Sequence, residues 1–357
     1  MSAQGSGAAS DLRGAGERGA ARDSRRDANR RATSASARRD SRDSSSSSPP
    51  TSVTPAASGV SQTYTATATA GEILTYTIDT NALTYSYKVI FSAYGLTNKM
   101  GNGTLTLNSD GSYAPSEAPN SKVYALQNGL LIGAVNLLLN GVQRVVPIVG
   151  VSNPISTAPS LAGTYNSITL QCAIQSFGTY TGCQTTYGTI QVDKAGGYTS
   201  CDKFNISNGT GGCAILTTGT LSLLANGVWV ATRTGSTNTN YFVAFTAPGG
   251  QNVLLIDLND PGVGGYGYGV VVGSTQAGYH KDLVDGTWYF MATNEGAGSL
   301  SIAGTSIGDS FGNTFTATFD SPWTGMASLN NGGHALLAGA GGYAYADPTV
   351  FELGMKK

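Results

Sequence analysis

The chain holds two imidazoles in 357 residues, His280 and His334. His280 stands in Tyr279-His280-Lys281-Asp282 with Asp285 just beyond, an order in which a carboxylate could orient a general base. Both acids belong to a polar stretch where solvated charge is the ordinary explanation. His334 follows the turn Asn330-Asn331-Gly332-Gly333 and enters an apolar strand. No triad or metal spacing surrounds either histidine, and there is no Gly-x-Ser-x-Gly elbow for a serine nucleophile. Asp257, Asn259 and Asp260 put oxygen ligands at close spacing on one segment, as a hard cation such as calcium requires, without the EF-hand frame. Gly262-Val263-Gly264-Gly265-Tyr266-Gly267 matches the dinucleotide fingerprint, yet the chain continues Tyr268-Gly269-Val270-Val271-Val272-Gly273. That continuation is a strand and cannot supply the helix N-terminus that receives a pyrophosphate, so no nucleotide cofactor is expected.

Aromatic chemistry is richer than titratable chemistry, since 18 of the 31 aromatic side chains are tyrosines. A ring in Gly-rich surroundings can stack on a sugar or dock a protein at low entropic cost. Tyr180, Tyr187, Tyr266, Tyr268, Tyr343 and Tyr345 stand in such surroundings and are the candidate ligand-binding rings. The plain alternative is that each caps the core at a sheet edge. The four cysteines, Cys172, Cys183, Cys201 and Cys213, fall in one Gly/Thr-rich stretch without a C-x-x-C pair or a nearby histidine. This pattern favours disulfides over zinc, and with them an oxidising compartment. The expected pairing is Cys172–Cys183 with Cys201–Cys213, each clipping a local excursion between strands.

The elements that must position these groups are β-hairpins. One eleven-position phrase occurs three times, from Gly103 to Tyr113, Gly188 to Tyr198 and Gly219 to Trp229. Each copy has apolar residues at the third and fifth positions, glycine at the ninth and an aromatic ring at the eleventh. The alternation makes a strand with one buried face, and the glycine supplies the positive φ of a tight turn. No amphipathic helix is found. The expected fold is all-β: an N-terminal antiparallel β-sandwich over 61–152, a linker over 153–160, and a larger antiparallel β-barrel or β-sandwich region over 161–357.

Residues 1–60 have a different vocabulary. The first fifty contain ten Arg and six acids, hence a net charge of +4, with no Val, Ile, Phe, Tyr or Trp. Such a segment buries too little apolar surface to offset its ordering entropy and is expected to be a disordered leader, followed by a Ser/Thr/Pro tether. Acids threaded among the arginines and the absence of stacking rings argue against nucleic acid as a partner. Residues 1–43 switch so abruptly in composition that they are read as a leader or as foreign to the native product. No apolar segment near Met1 serves as a signal peptide, and the most apolar window, Leu130 to Val151, is broken by Asn136, Asn140, Arg144 and Pro147, so no transmembrane span is expected.

Gly163-Thr164-Tyr165 and Gly286-Thr287-Trp288 resemble the Gly-x-Trp start of lipocalin-type barrels, which implies a ring plugging one barrel end. Gly103 to Tyr113 resembles a segment of bacterial cadherin-like adhesin repeats, and the Ser/Pro tether is similar to the stretch after the lipidated cysteine of bacterial surface lipoproteins, although no cysteine precedes it here. These features lead to the expectation of a non-catalytic, extracytoplasmic or membrane-tethered protein that binds a protein or glycan. A calycin-like carrier of a small apolar ligand and a glycan or cell-wall hydrolase are the alternatives. An interior cavity lined by Leu, Val and Phe favours the carrier, and a histidine within reach of a carboxylate favours the hydrolase.

Overall fold

The computed structural model describes residues 61–119, 121–125, 129–173, 183–247, 249–259, 268–279, 281–293, 296–338, 341–348 and 350–357. The leader, Tyr180, Tyr266, Asp260, the glycine-rich 262–267 motif and His280 lie outside these residues, as does the side chain of Tyr268.

The fold is all-β, as composition implied, and consists of three consecutive eight-stranded antiparallel meanders. The first runs through β1 (Ser61–Ala68), β2 (Glu72–Asp79), β3 (Thr84–Phe91), β4 (Met100–Leu107), β5 (Tyr113–Pro115), β6 (Tyr124–Ala125), β7 (Leu130–Leu139) and β8 (Val142–Val151). The expected sandwich is instead one rolled sheet. β1 pairs with β8, and the two outer strands meet through a bridge in which Tyr113 and Val123 exchange both backbone hydrogen bonds at 2.8 Å.

The region after residue 161 holds two further barrels. One comprises β9 (Gly163–Cys172), β10 (Gln184–Val192), β11 (Gly197–Asp202), β12 (Leu216–Leu223), β13 (Trp229–Arg233), β14 (Thr239–Thr246), β15 (Asn252–Asn259) and β16 (Tyr268–Thr275), and closes by pairing β16 with β9. The other comprises β17 (Gly286–Ala292), β18 (Gly296–Ala303), β19 (Ser306–Asp309), β20 (Thr314–Phe319), β21 (Met326–Leu329), β22 (His334–Ala338), β23 (Gly342–Ala346) and β24 (Phe351–Lys356), and closes by pairing β17 with β24. Closure removes the unpaired edges that an open sheet would expose.

The repeated eleven-residue phrase forms a hairpin in each occurrence, β4–β5, β10–β11 and β12–β13. Its ninth-position glycines, Gly111, Gly196 and Gly227, adopt φ of +84°, +88° and +79°, a region where a side chain would be strained. In two copies the preceding side chain closes the turn, with Asp110 Oδ1 accepting from Ser112 N and Asn226 Oδ1 from Val228 N.

Several strands lack alternation because both of their faces are buried. In β15, Leu254 points into its own barrel while Val253 and Leu255 pack outward into a core shared by all three barrels; Val271 divides in the same way from Val270 and Val272 in β16. That shared core takes in Phe351, Leu353 and Met355 of β24 and Leu131, Ile132 and Val149 of the first barrel. Stacked rings cross the junctions, Phe91 on Tyr241 at 3.8 Å and Tyr124 on Tyr289 at 4.5 Å between centroids.

Cys172 is bonded to Cys183 and Cys201 to Cys213. The pairs close loops of 11 and 12 residues, for which chain entropy gives about 2–3 kcal/mol each. Replacing Cys201 and Cys213 together by serine is therefore expected to lower unfolding stability by about that amount, and a denaturation midpoint unchanged from that of the parent protein would refute it. Two disulfides mark an oxidising environment for this chain. Among the described residues no helix is long and apolar enough to cross a membrane.

Candidate functional site

The second and third barrels are built on one plan, and it begins at their closed ends. A single helical turn, α1 (Ala158–Leu161), precedes β9, and another, α2 (Lys281–Val284), precedes β17. The Gly-Thr-aromatic triplet follows each turn. Tyr165 donates its hydroxyl hydrogen to Leu161 O at 2.6 Å, and Trp288 donates Nε1–H to Val284 O at 2.8 Å. Both rings are fully buried. The donor–acceptor spacing is four residues in both cases, so ring, glycine and helical turn form one plug. Residues 153–160, expected as a linker, complete the base of the second barrel: Trp229 Nε1–H donates to Ile155 O at 2.7 Å, and Ile155 N to Ala244 O at 2.6 Å.

Above each plug lies a cavity. That of the third barrel is about 100 Å³, with Phe290, Leu300, Phe315, Leu337 and Tyr343 among its walls. That of the second is about 240 Å³, walled near the plug by Ile190, Val192, Phe242 and Leu254. Strand directions place the charged and amide lining at the end away from the plug in both barrels, while Ser167 and Thr169 line the second cavity closer to its plug. In the second this rim includes Gln171, Ser200, Asp202, Thr217, Arg233 and Asn240. In the third it includes Asp309, Asn313, Asp347 and Glu352.

The third barrel's rim is preorganised. Tyr343 donates to Glu352 Oε1, and Tyr345 donates to Asp347 Oδ2 at 2.7 Å while accepting from Asn331 Nδ2 at 2.7 Å. Val350 N donates to Asp347 Oδ1 at 2.8 Å. Asp309 Oδ1 accepts from Phe311 N and Asn313 N, and its Oδ2 from Asn313 Nδ2 at 2.8 Å. Burial, the Glu352 charge and the hydrogen bond to it hold the Tyr343 hydroxyl well above the ordinary phenol range. Tyr343 can lie across the barrel wall because its partner on β24 is Gly354; a Cβ there would stand 1.9 Å from the ring. Aromatic rings oppose glycine in the same register at Tyr85–Gly103, Tyr198–Gly219 and Phe290–Gly298, a cross-strand pairing that lets the ring cover exposed backbone.

Of the six tyrosines singled out from sequence, Tyr343 and Tyr345 come together here, 8% and 9% exposed. Tyr187 is elsewhere, packed between Trp323 and His334 at the contact of the second and third barrels, with centroids 5.7 and 3.9 Å away. That contact is fastened by Trp323 Nε1–H donating to Asn166 Oδ1 at 2.7 Å and Asn166 Nδ2 to Thr324 O at 2.9 Å. His334 therefore serves packing; burial lowers its pKa, favouring the neutral ring. Asp285 likewise serves structure, accepting from Gly304 N at 2.8 Å.

Asp257 has a setting its sequence neighbours did not announce. It projects outward from β15 against the β1–β2 turn of the first barrel, where a Cβ on Gly71 would lie 3.0 Å from its Oδ1. Glu72 adjoins the same point, and both carboxyl groups are 0% exposed. Ser92 Oγ donates to Glu72 Oε1 at 3.0 Å, whereas Glu72 Oε2 and both oxygens of Asp257 have no hydrogen-bond partner among the described residues. Desolvation pushes Glu72 up to about 8, against the pull of Ser92 and Tyr94 N–H, and burial with the Glu72 charge raises Asp257 far above the carboxylate range. Burial of the pair therefore favours the protonated acid at both positions. Among the described residues no cluster of three or more metal-ligating side chains occurs, and Asn259 projects its backbone N–H onto Asn240 Oδ1 at 2.7 Å.

Comparison with family models gives no match, and comparison with curated proteins gives none. Among solved structures, a protein of unknown function from the DUF3598 family of Nostoc punctiforme PCC 73102 is similar at 10% identity over 83% of this chain and 92% of that one, with a TM-score of 0.20.

Proposed function

We propose that this protein is a non-catalytic, extracytoplasmic carrier that holds small, largely apolar molecules inside its second and third barrels. One observation carries the reading: each barrel is stoppered at one end by a hydrogen-bonded aromatic ring and keeps a cavity above it that ends in a polar rim, apolar-walled in the third barrel and mixed in the second, where Ser167 and Thr169 join Ile190, Val192, Phe242 and Leu254. Natural sites for small ligands have this make-up, hydrophobic walls with a few placed polar groups. The cavities are comparable to the roughly 150 Å³ apolar cavity that takes up benzene in an engineered protein. Adhesion through exposed tyrosines has less support, because Tyr187, Tyr343 and Tyr345 are committed to packing or to a barrel interior. Hydrolysis has least, because His334 stacks on Tyr187 and donates no ring N–H to a carboxylate among the described residues. Secretion or surface tethering joins the proposal from the two disulfides and the Ser/Pro-rich tether.

The test uses toluene and benzyl alcohol with the full chain. Both are expected to raise the unfolding temperature and to perturb the fluorescence of Trp288 or Trp229. Filling the cavities with Ala335→Phe in the third barrel and Ala231→Phe in the second should abolish those responses. Absence of any response in the parent protein, or full response in the doubly filled variant, refutes the carrier reading.

A further inference from the structure

We infer that the third barrel selects small organic cations, an ammonium group carried on a short aromatic or aliphatic body. The inference rests on the carrier reading and adds the chemistry of the cargo. The body would lie against Phe290, Leu300, Phe315 and Leu337, and the cation would sit at the rim beside Glu352 and Asp347.

Three features carry it. First, the charged groups lining this cavity are Asp309, Asp347 and Glu352, with no Lys, Arg or His among its described lining residues. The basic residue on the neighbouring wall, Lys356, holds its ammonium 5.9 Å from the Trp288 ring at the stoppered end. Second, the innermost of these acids is enclosed by the apolar chamber, whereas Asp309 and Asp347 stand half-exposed at its rim. Glu352 is 8% exposed and turns inward between Phe351 and Leu353, which face the shared core. A charge there acts through a medium of low effective dielectric and little screening. Third, neutral groups already hold these carboxylates in place: Tyr343 on Glu352, Tyr345 and Asn331 on Asp347, Asn313 on Asp309. Fixed oxygens at one end of an apolar pocket receive an ammonium through charge-assisted hydrogen bonds and repel an anion. The second barrel serves as an internal contrast, since Asp202 and Arg233 both line its cavity and no single sign prevails there.

Calorimetric titration of the full chain with benzylamine, benzyl alcohol and benzoate tests the inference, the three differing mainly in the charge of the head group. Benzylamine is expected to bind at least about tenfold tighter than benzyl alcohol, with benzoate weakest. Glu352→Gln, which keeps an acceptor for Tyr343, should bring the amine down to the level of the alcohol and leave the alcohol unchanged; Asp347→Asn gives an independent second reading. Equal binding of amine and alcohol, or an amine preference that survives both substitutions, overturns the selectivity while leaving the carrier function standing. Failure of all three compounds to bind overturns the carrier reading, and the amine inference with it.

Discussion

Raising the pH from about 6.5 to about 8.5 is expected to cost this protein at least about 2 kcal/mol of folding stability, and Glu72→Gln to remove the Glu72 share of that loss. Glu72 is pushed up to about 8 from an ordinary value of 4.5 by burial. The folded state thus holds a proton that the unfolded state has released, and stability falls as pH rises between those two values. The full span of that shift corresponds to about 5 kcal/mol for one group, at 1.36 kcal/mol per pH unit. Asp257, raised for the same reason and by the Glu72 charge, acts with the same sign. His334 acts with the opposite sign: its lowered pKa makes folding favour the neutral ring, a cost that appears as pH falls below 6.5. Asp110, held near 2 through Lys122 and Ser112 against burial, contributes stability that is lost only in stronger acid. The interval above 6.5 therefore isolates the carboxyl pair. Denaturant titrations at several pH values provide the measurement. A flat profile in the parent protein, or an equally steep one after Glu72→Gln, would show that these groups ionise freely and that the β1–β2 turn does not seal them.

The parts of this molecule that were legible in sequence are those whose physics is local. A glycine eight positions after the start of an alternating strand dictates a turn, and Gly111, Gly196 and Gly227 make those turns whatever lies around them. The two disulfides close short loops, so pairing by proximity sufficed. The Gly-Thr-aromatic triplets pointed to plugged barrel ends because the ring finds its acceptor four residues back. What escaped is set by distant pairing. Whether meanders close depends on β16 finding β9 and β24 finding β17, and no residue pattern within one strand records it. Glu72 and Asp257 belong to different barrels, so their meeting leaves no trace in spacing. Asp257 looked like a member of a calcium set with Asn259 and Asp260, whereas its outward strand face brings it to Glu72 instead. Glu352 did carry a signal, a lone acid alternating with Phe351 and Leu353, which marks a strand face opposite the core.

Trp288→Ala should be the most damaging single substitution in the third barrel, lowering unfolding stability by about 3–5 kcal/mol, the usual range for truncating a buried large aromatic. The indole is 0% exposed, donates to Val284 O, and meets Tyr343 edge-on at 5.5 Å. Its loss leaves a void at the stopper, an unpaired carbonyl at the end of α2, and no support beneath the ring that holds Glu352. Trp288→Phe keeps most of the packing and forfeits the hydrogen bond, so it should cost less, about 1–3 kcal/mol. The same device in the second barrel can be cut more finely, since Tyr165→Phe removes only the hydroxyl, which donates to Leu161 O and is hydrogen-bonded to the Asn252 side chain, with an expected cost of about 1–2 kcal/mol. Tyr165 and Trp288 lie in separate core clusters, so the costs of Tyr165→Phe and Trp288→Ala should add in the double variant to within about 0.5 kcal/mol. Chemical denaturation followed by fluorescence and circular dichroism measures all four variants. A loss below about 1 kcal/mol for Trp288→Ala would mean that the ring does not stopper the barrel. Strong coupling between the two sites would mean instead that the barrels share one base and not two.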